Sequence, residues 1–370
     1  MAAPKKRRIV VKIGTNTICG SLGRPDPWYM AAIADEMVDL IDAGHQVILV
    51  TSGAIGTGRH ILGMKEKPRD VRVRQAAAAV GQPRLMHDWA SAFGRRGTNV
   101  AQVLLTYHTF ARRESYLHMR EAMLKLLEMG VVPIVNENDT VSISEIDAGF
   151  GDNDRLSALV ATKLEADRLV ILSDVAGLYT KPPGEPGAEL VRRVERVDER
   201  IRAMAGAKAS SGGRGGMGSK LEAAALAMES GCEVVIAPGR EPHVLRRIAA
   251  GEELGTRFVP SSRASGARRW LLLAQPEGEV HVDAGAARAL AAGKHLLPAG
   301  VVDVRGTFSV ESVVRIVSDG RILGRAVSEL SSEDLARVKG LKSADAQRVL
   351  GIDGTVNVTT KGKLLLTDEK

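Results

Sequence analysis

Residues 46–56 read QVILVTSGAIG and contain the unit that decides the fold. The run from Gln46 to Thr51 is short, apolar and β-branched, which predicts a buried strand. Small residues follow at once and open a predicted helix. Units of strand, loop and helix favour a mainly parallel sheet covered by helices on both faces. Because ligands collect at the carboxyl ends of the strands in such sheets, the loops after the strands are the places to search for a site.

The same unit recurs between residues 8 and 237. Short apolar runs, mostly bounded by Gly, Asn, Asp or Ser, predict strands at 8–13, 99–105, 131–136, 168–173 and 233–237. Stretches of helical period predict helices at 26–43, 116–129 and 156–164. We therefore predict an α/β fold, with a mainly parallel sheet sandwiched between helices, over residues 6–260.

The pattern changes near Pro260. Small, polar and basic residues follow it and predict a linker at 261–277. Short strand-like units with frequent glycines predict a smaller β-rich domain at 278–352, followed by a tail at 353–370. Within that domain we expect strands at 279–283, 300–305 and 313–318, and one amphipathic helix at 332–339 with Ser332 as its cap.

The composition is that of an ordinary globular chain, with 44% hydrophobic and 26% charged residues among 370. Two cysteines, Cys19 and Cys232, make neither a disulfide framework nor a metal cluster, and they fit a reducing cytoplasm. No apolar run approaches the ~20 residues of a transmembrane helix. The apolar stretch 9–11 behind the basic N-terminus is too short for a signal peptide. We expect a cytoplasmic protein that does not enter a membrane.

The formal net charge of +7 favours anionic partners without choosing among them. The basic run at 5–8 is either a nucleic-acid patch or a solvated terminus. RNA-binding proteins normally show aromatic stacking or dense basic stripes, and aromatic residues make up only 3% of this chain. Nucleic acid is therefore not the expected partner.

Two loops of the first half have the composition of anion sites. Lys12 ends the first predicted strand and Gly14 follows, so that an ammonium group and a bare backbone could both face a bound anion. A surface lysine at a strand end is the alternative. Ser52 and Gly53 open a helix whose free N–H groups could bind an anion. There the alternative is a plain helix cap by Ser52.

Polar clusters follow the strand at 131–136, in the sequences NEND (136–139) and GDND (151–154). Carboxylates in such a place can hold an α-ammonium group, organise lysines or bind Mg²⁺ through water. Asparagine side chains suit both ends of a zwitterion because they donate and accept. A solvated turn is the alternative.

The most specific local signal is SGGRGGMGSK at 211–220, which leads into a helical stretch at 221–229. Glycines before a helix start expose N–H groups to phosphate, and the helix dipole adds to the attraction. A flexible linker would not explain Lys220 at the start of an alanine-rich helix. Gly213, Gly215 and Gly218 match the spacing of a dinucleotide fingerprint, but no strand precedes them. The order Ser219-Lys220 is also not that of a P-loop.

The order of these loops resembles the amino acid kinase family. The resemblance runs from Lys6 to Val259, and a PUA domain is resembled from 278 to 350. The motifs that carry it are VKIGT (11–15), TSGAIGTG (51–58), AAVGQ (78–82), NENDTV (136–141), GDNDRLSALVA (151–161), LSDVAGLYT (172–180) and GGMGSKLEAA (215–224).

Within that family, the match implies phosphorylation of the γ-carboxylate of L-glutamate by ATP and Mg²⁺, the first step of proline biosynthesis. Lys12 and Lys220 would flank the transferred phosphoryl group, and Asp154 would orient them and help place Mg²⁺. The resemblance assigns Ser52, Asp139 and Asn153 to glutamate and the Gly53 N–H to the phosphoryl group. It assigns ATP to Lys12, Ser173, Asp174, Arg214, Gly215, Gly216, Met217, Gly218, Ser219 and Lys220.

The resemblance also implies partners. They are a second copy of the chain in a dimer or tetramer, proline as feedback inhibitor, and glutamyl phosphate reductase as receiver of the product. Residues 145–151 depart from the family pattern, because they are about two residues longer than in some relatives and lack a basic residue. This departure bears on feedback more than on catalysis. Aspartate, acetylglutamate, carbamate or UMP as acceptor, and RNA binding, are the alternatives.

Overall fold

A computed structural model describes residues 6–19, 24–66, 68–106, 109–110, 112–141, 153–206, 216–260, 271, 276–352 and 354–366. The chain divides into two compact units, one before residue 264 and the other from 264 onward, the short stretch 111–113 excepted. Among the described helices, none has both the length and the apolar character needed to cross a membrane.

The first unit is built on one sheet in the order β3-β4-β2-β1-β5-β7-β8-β6. All neighbouring strands in it are parallel except β7 and β8. The parallel order brings the carboxyl ends of β1, β2, β4 and β5 to the same edge. The strands are β1 (Arg8–Ile13), β2 (Gln46–Val50), β3 (Val100–Leu105), β4 (Val132–Glu137), β5 (Arg168–Ser173), β6 (Arg193–Val194), β7 (Glu233–Pro238) and β8 (Thr256–Phe258).

Helices cover this sheet because its strands are apolar on both faces; every residue of β5, for example, is buried. Asp26 caps the second helix by accepting from the backbone N–H groups of Trp28 and Tyr29. The helices are α1 (Thr15–Cys19), α2 (Pro27–Asp42), α3 (Ala54–Ile61), α4 (Val71–Gly94), α5 (Arg113–Glu128), α6 (Asn153–Lys163), α7 (Glu199–Ala203), α8 (Met217–Glu229) and α9 (Val244–Ala249).

Two glycines let α3 and α4 pack backbone against backbone. A Cβ on Gly58 would lie 1.7 Å from the Ala77 carbonyl oxygen, and a Cβ on Gly81 would lie 2.0 Å from the Ala54 carbonyl oxygen. This contact holds the start of α3 in place at the edge of the sheet, directly after β2.

The second unit has a five-stranded sheet in the order β10-β9-β11-β12-β13, around its own apolar core. Only the β9–β11 pair is parallel. The strands are β9 (Gly278–Val282), β10 (Val301–Arg305), β11 (Val313–Ser318), β12 (Arg321–Val327) and β13 (Leu364–Leu366). The helices are α10 (Ala284–Ala291), α11 (Ser332–Val338) and α12 (Ser343–Leu350), with 3₁₀ turns at Pro298–Gly300 and Lys361–Lys363.

The structure confirms the predicted strands of both units to within a residue or two and corrects three local predictions. Ser331, not Ser332, caps α11, because its side chain accepts from the Asp334 N–H. The second unit contains α10 and α12 besides the one predicted helix. The helix predicted at 221–229 begins at Met217, so the end of the glycine-rich segment already belongs to its first turn.

Candidate active site

A buried carboxylate holds two ammonium groups at the edge of the large sheet. Asp154 is fully buried; one of its carboxylate oxygens is paired with Lys12 Nζ, and the other lies 3.1 Å from Lys220 Nζ. Both lysines are themselves almost completely buried. The Ser219 hydroxyl donates a further hydrogen bond to Asp154, at 3.1 Å. Buried charges are stable only when they are paired in this way.

Three separate elements bring these groups together. Lys12 stands next to the last residue of β1, Asp154 is the second residue of α6, and Lys220 lies at the end of the first turn of α8. The N-terminal turn of a helix favours a carboxylate, which stabilises Asp154 where it stands. The two ammonium groups share one carboxylate, so they are held together and positive charge remains to attract an anion.

A second part of the site is built on Asn153, beside Asp154. Its side-chain NH₂ donates to the Thr51 carbonyl at 2.5 Å, to the Ser52 hydroxyl at 2.9 Å and to Asn136 Oδ1 at 2.9 Å. These bonds connect the start of α6 to the loop after β2 and to the end of β4. Two polar clusters that are distant in sequence therefore form one surface.

Gly53 occupies the N-cap position of α3 with φ of +115°, which only glycine adopts without strain. The Ser52 side chain makes no capping hydrogen bond to this helix. The alternative interpretation of Ser52 as a plain helix cap is thus wrong. The backbone N–H groups at the start of α3 remain available to an anion.

On the opposite side, Ser173 and Asp174 follow β5. The Ser173 hydroxyl donates to Asp174 at 3.1 Å, and the Asn16 side chain donates to the other oxygen of Asp174 at 2.9 Å. Burial alone would raise the pKa of Asp174, but the hydrogen bonds from Asn16, from its own backbone N–H and from Ser173 lower it below the usual range. Asp174 is therefore an anion at neutral pH, fixed in orientation.

A cleft of about 990 Å³ connects the two sides. This volume suits a nucleotide together with a small acceptor. Of the predicted site residues, it is lined by Lys12, Ser52, Gly53, Asp139, Asn153, Ser173, Asp174 and Lys220. Asp154 lies beneath it, in contact with both lysines.

Asp139 is a carboxyl group of the cleft with a raised pKa. Burial raises the pKa of Asp139 to about 6, the nearby charge of Glu137 adds to the effect, and Arg74 opposes it. A cation bound beside Asp139 would restore its charge, so the position suits an ammonium group.

The described residues of the cleft do not form a metal site by themselves. Within the described ranges, no three His, Cys, Asp or Glu side chains lie close enough together to hold a metal ion. Asp154, the predicted contact for Mg²⁺, directs both oxygens at ammonium groups. A magnesium ion bound directly to Asp154 would lie beside two cations, so this carboxylate does not fit as a direct ligand.

The structure also places most of the remaining predicted residues. Gly216 is the N-cap of α8, and Met217, Gly218 and Ser219 form its first turn, next to Lys220. Arg214, Gly215 and residues 145–151, which depart from the family pattern in sequence, lie outside the described residues.

Several residues that line the cleft were missed by sequence reasoning. Arg59 and Arg74 lie within helices α3 and α4, where no strand-end or glycine signal marks them. Arg69 precedes α4 and also lines the cleft. Asn16 stands in the first loop, and its contact with Asp174 joins segments 158 residues apart, which no local pattern reveals.

The chain belongs to the amino acid kinase family. The model of this family, described as "Amino acid kinase family", matches residues 7–238, and the model of the PUA domain matches residues 278–350. The predicted fold class, a mainly parallel sheet between helices followed by a smaller PUA domain, is confirmed.

Relatives that the chain resembles over nearly its full length include glutamate 5-kinases. The chain is 44% identical to the glutamate 5-kinase of Methanosarcina mazei, over 98% of this chain and 96% of that protein. It is 43% identical to the glutamate 5-kinase of Moorella thermoacetica, over 99% and 98% respectively. A carbamate kinase of Giardia lamblia, solved with AMP-PNP bound, shares the fold at 17% identity and a TM-score of 0.51, over 70% of this chain and 99% of that one.

Proposed function

We propose that this protein is a glutamate 5-kinase, which transfers the γ-phosphoryl group of ATP to the γ-carboxylate of L-glutamate. The products are ADP and L-glutamyl 5-phosphate, and the reaction is the first step of proline biosynthesis. The observation that carries the proposal is the pair of lysines, Lys12 and Lys220, held on the buried carboxylate of Asp154. The full-length similarity to glutamate 5-kinases supports glutamate as the acceptor.

The chemistry needs charge neutralisation more than a base. A γ-carboxylate has a pKa of about 4.3, so at neutral pH it is already ionised and nucleophilic. Its oxygen forms a bond to the γ-phosphorus while the bond to the β,γ-bridging oxygen breaks, and ADP leaves with that oxygen. Both reactants are anions, so catalysis consists of positioning and of cations aimed at the transferred group. Lys12 and Lys220 supply those cations.

On the acceptor side, Ser52, Asp139 and Asn153 would bind glutamate. All three line the cleft, and Asn153 donates a hydrogen bond to Ser52. The Gly53 N–H, at the start of α3, would donate to the phosphoryl group. The position of Asp139 supports contact with the α-ammonium group, because a cation there would offset its desolvation.

On the nucleotide side, Ser173 and Asp174 would bind ATP together with Arg214 and the residues from Gly215 to Lys220. The placement of Gly216 at the N-cap of α8 supports a phosphate contact there. The nucleotide would enter as MgATP, with the metal held by the phosphates and by water. Asp154 would act on the lysines and reach Mg²⁺ only through water.

We extend the proposal to the oligomeric state, the inhibitor, the partner enzyme, the location and the domain bounds of the protein. The family resemblance supports a dimer or tetramer, inhibition by proline near residues 145–151, and handover of the acyl phosphate to glutamyl phosphate reductase. Two buried free cysteines support a cytoplasmic location. The family matches support a kinase domain at 6–260, a linker at 261–277, a PUA domain at 278–352 and a tail at 353–370.

An acceptor panel tests the proposal. The purified full chain would be given ATP and Mg²⁺ with glutamate, aspartate, N-acetylglutamate, carbamate or UMP, and ADP release would be followed. We expect turnover with glutamate at least about 100-fold above the other acceptors, since each missing polar contact in such a site is costly. An Asp154→Asn variant serves as control, and its activity should be lost if the signal comes from this site.

Two outcomes would contradict the proposal. Preferred turnover of a different acceptor would show another kinase of the same family. Absence of turnover with every acceptor, combined with RNA binding that weakens with salt, would show a different function altogether.

A further inference from the structure

Four amide side chains are joined by hydrogen bonds in a row that ends at the cleft. Gln82, Asn136 and Asn153 are buried, and Gln102 is exposed. Gln82 donates to the exposed Gln102 at 3.3 Å and accepts from Asn136 at 2.8 Å. Asn136 accepts in turn from Asn153 at 2.9 Å. Rotation of an amide side chain by half a turn exchanges its oxygen and its NH₂ group. Which group donates and which accepts along this chain of hydrogen bonds therefore depends on neighbours outside the chain.

Two backbone groups fix that direction. The Glu137 N–H can only donate, and it lies 2.9 Å from Asn136 Oδ1, which must therefore be the oxygen. The Thr51 carbonyl can only accept, and it lies 2.5 Å from Asn153 Nδ2, which must therefore be the NH₂ group. A half-turn of Asn136 would set donor against donor at Glu137 and at Asn153. The Glu137 N–H and the Thr51 carbonyl require the same direction, because with it every hydrogen bond along the chain has one donor and one acceptor.

The fixed direction determines what the cleft offers to a ligand. The NH₂ group of Asn153 is fully engaged by the Thr51 carbonyl, the Ser52 hydroxyl and Asn136. Asn153 lines the cleft, so the polar atom left for a ligand is Oδ1, which only accepts. Ser52 Oγ already accepts from Asn153, so its own O–H is left to donate. The cleft thus offers an acceptor, Asn153 Oδ1, to a cation and a neighbouring donor, the Ser52 hydroxyl, to an anion.

We infer that Asn136 and Gln82 position Asn153 so that its Oδ1 accepts a hydrogen bond from the α-ammonium group of the substrate, and that the site selects acceptors with a free α-amino group. The inference rests on the proposed function and names a further determinant of its specificity. Gln82 is a positioning residue, because it acts on the substrate only through Asn136 and Asn153. Without the Gln82 acceptor, the Asn136 NH₂ group is buried without a partner, so Asn136 is held less firmly in the orientation in which it accepts from Asn153.

The test compares glutamate with glutarate, which has both carboxylates but no amino group. The readout is the ratio of kcat/KM for glutamate to kcat/KM for glutarate in the full chain. Gln82→Met keeps the length of the side chain but removes the acceptor, and we expect the ratio to fall about tenfold, the worth of one hydrogen bond to a charged group. KM for ATP should change less than about twofold. Gln102→Met is the matched control, because the exposed end of the chain can bond to water instead, and there the ratio should stay at its wild-type value.

Equal losses for both substrates in Gln82→Met, with the ratio unchanged, would show a merely structural role and overturn the inference. Should the Met variant not fold, Gln82→Ala removes the same acceptor without filling the space and gives the same comparison. Equal turnover of glutamate and glutarate by the wild-type protein would overturn the inference while the proposed function stands. Absence of glutamate turnover in the wild type would overturn both.

Discussion

At the scale of single residues, the site is organised by one carboxylate. Asp154 is buried because two ammonium groups compensate its charge, and each lysine is buried because Asp154 compensates it. Removing one lysine leaves Asp154 paired with the other, so the fold should survive the loss of either. The net positive charge of the three groups, by contrast, is lost, because one lysine then balances one carboxylate.

We therefore expect Lys12→Ala and Lys220→Ala each to lower kcat about 100- to 1000-fold with the fold intact, as for the loss of one group that stabilises transition-state charge. Steady-state kinetics and circular dichroism of the same samples would measure both effects. Lys125→Ala, at an exposed position on α5, is the control and should leave kcat unchanged. Near-normal kcat in either active-site variant would show that its lysine has no part in the transfer.

The raised pKa of Asp139 predicts how glutamate binding depends on pH. Only the ionised carboxylate attracts an ammonium group, and the pKa of Asp139 is about 6 in the free protein. The affinity for glutamate should fall about tenfold per pH unit below pH 6, until the substrate carboxylates themselves titrate. Calorimetric titration without ATP would measure it.

The control for this titration is Asp139→Asn, which should bind glutamate more weakly and with no inflection near pH 6. A wild-type affinity that stays flat between pH 5 and 8 would remove Asp139 from the ammonium contact.

The sequence predicted the residues that stand at strand ends, in the loops after strands and at helix starts. Lys12, Ser52 and Asp154 belong to this group, because local composition marks such places. Arg59 and Arg74 could not be predicted, since they reach the cleft from helices whose orientation is set by packing. Neither could Gln82, whose importance depends on hydrogen bonds to residues 20 and 54 positions away.

At the scale of elements, the contact of α3 with α4 positions the start of α3 in the cleft. We expect Gly81→Ala to lower the free energy of unfolding by about 3 kcal/mol, because its Cβ would meet the backbone of α3 at 2.0 Å. Urea denaturation would measure the loss. Gly94→Ala in the same helix has nothing within 4 Å of its Cβ and is the control, with unchanged or slightly higher stability. Equal stability of the two variants would show that the helices can separate at no cost.

Lys163, at the end of α6, is a buried lysine that is not among the residues lining the cleft. Its ammonium group lies 4.3 Å from the centre of the Tyr116 ring and has no hydrogen bond within the described chain. Burial lowers the pKa of Lys163 to about 8, below the 10.5 of an exposed lysine. The protonated form therefore favours the unfolded state, with the full penalty below pH 8 and none above pH 10.5.

Lys163→Met should raise the free energy of unfolding by up to about 3 kcal/mol at pH 7, and by progressively less as the pH rises from 8 to 10.5. Denaturant titrations of both proteins at pH 7 and pH 10 would measure the difference. A variant that is less stable than the wild type at pH 7 would show that the contact with Tyr116 outweighs the desolvation of Lys163.

Strands were more predictable than helices. The central strands are apolar on both faces, so short β-branched runs located β1, β2 and β5 to within a residue. The helix α4 has alanine, glycine, proline and charge in succession, and its apolar face is too weak a pattern to locate it from sequence. In the second unit, α10 and α12 are short, and their place depends on the sheet they cover.

At the scale of the whole molecule, the residues that line the cleft, among those that the structure describes, all lie before residue 221. The PUA domain, which the family model matches at 278–350, belongs to the other compact unit. A chain that ends at residue 260 should therefore keep kcat for glutamate within a few-fold of the full chain, provided that it melts cooperatively. A folded truncated chain with kcat lowered more than about tenfold would give the PUA domain a part in the reaction.

The most direct test of the central claim is to trap the product. The full chain would be incubated with glutamate, ATP, Mg²⁺ and hydroxylamine, and the products identified by mass spectrometry. If Lys12, Lys220 and Asp154 serve transfer to the γ-carboxylate, the γ-monohydroxamate of glutamate will form in the same amount as ADP, and it will be nearly absent with Lys220→Ala. Release of ADP without a hydroxamate, or a hydroxamate at the α-carboxyl group, would contradict the account.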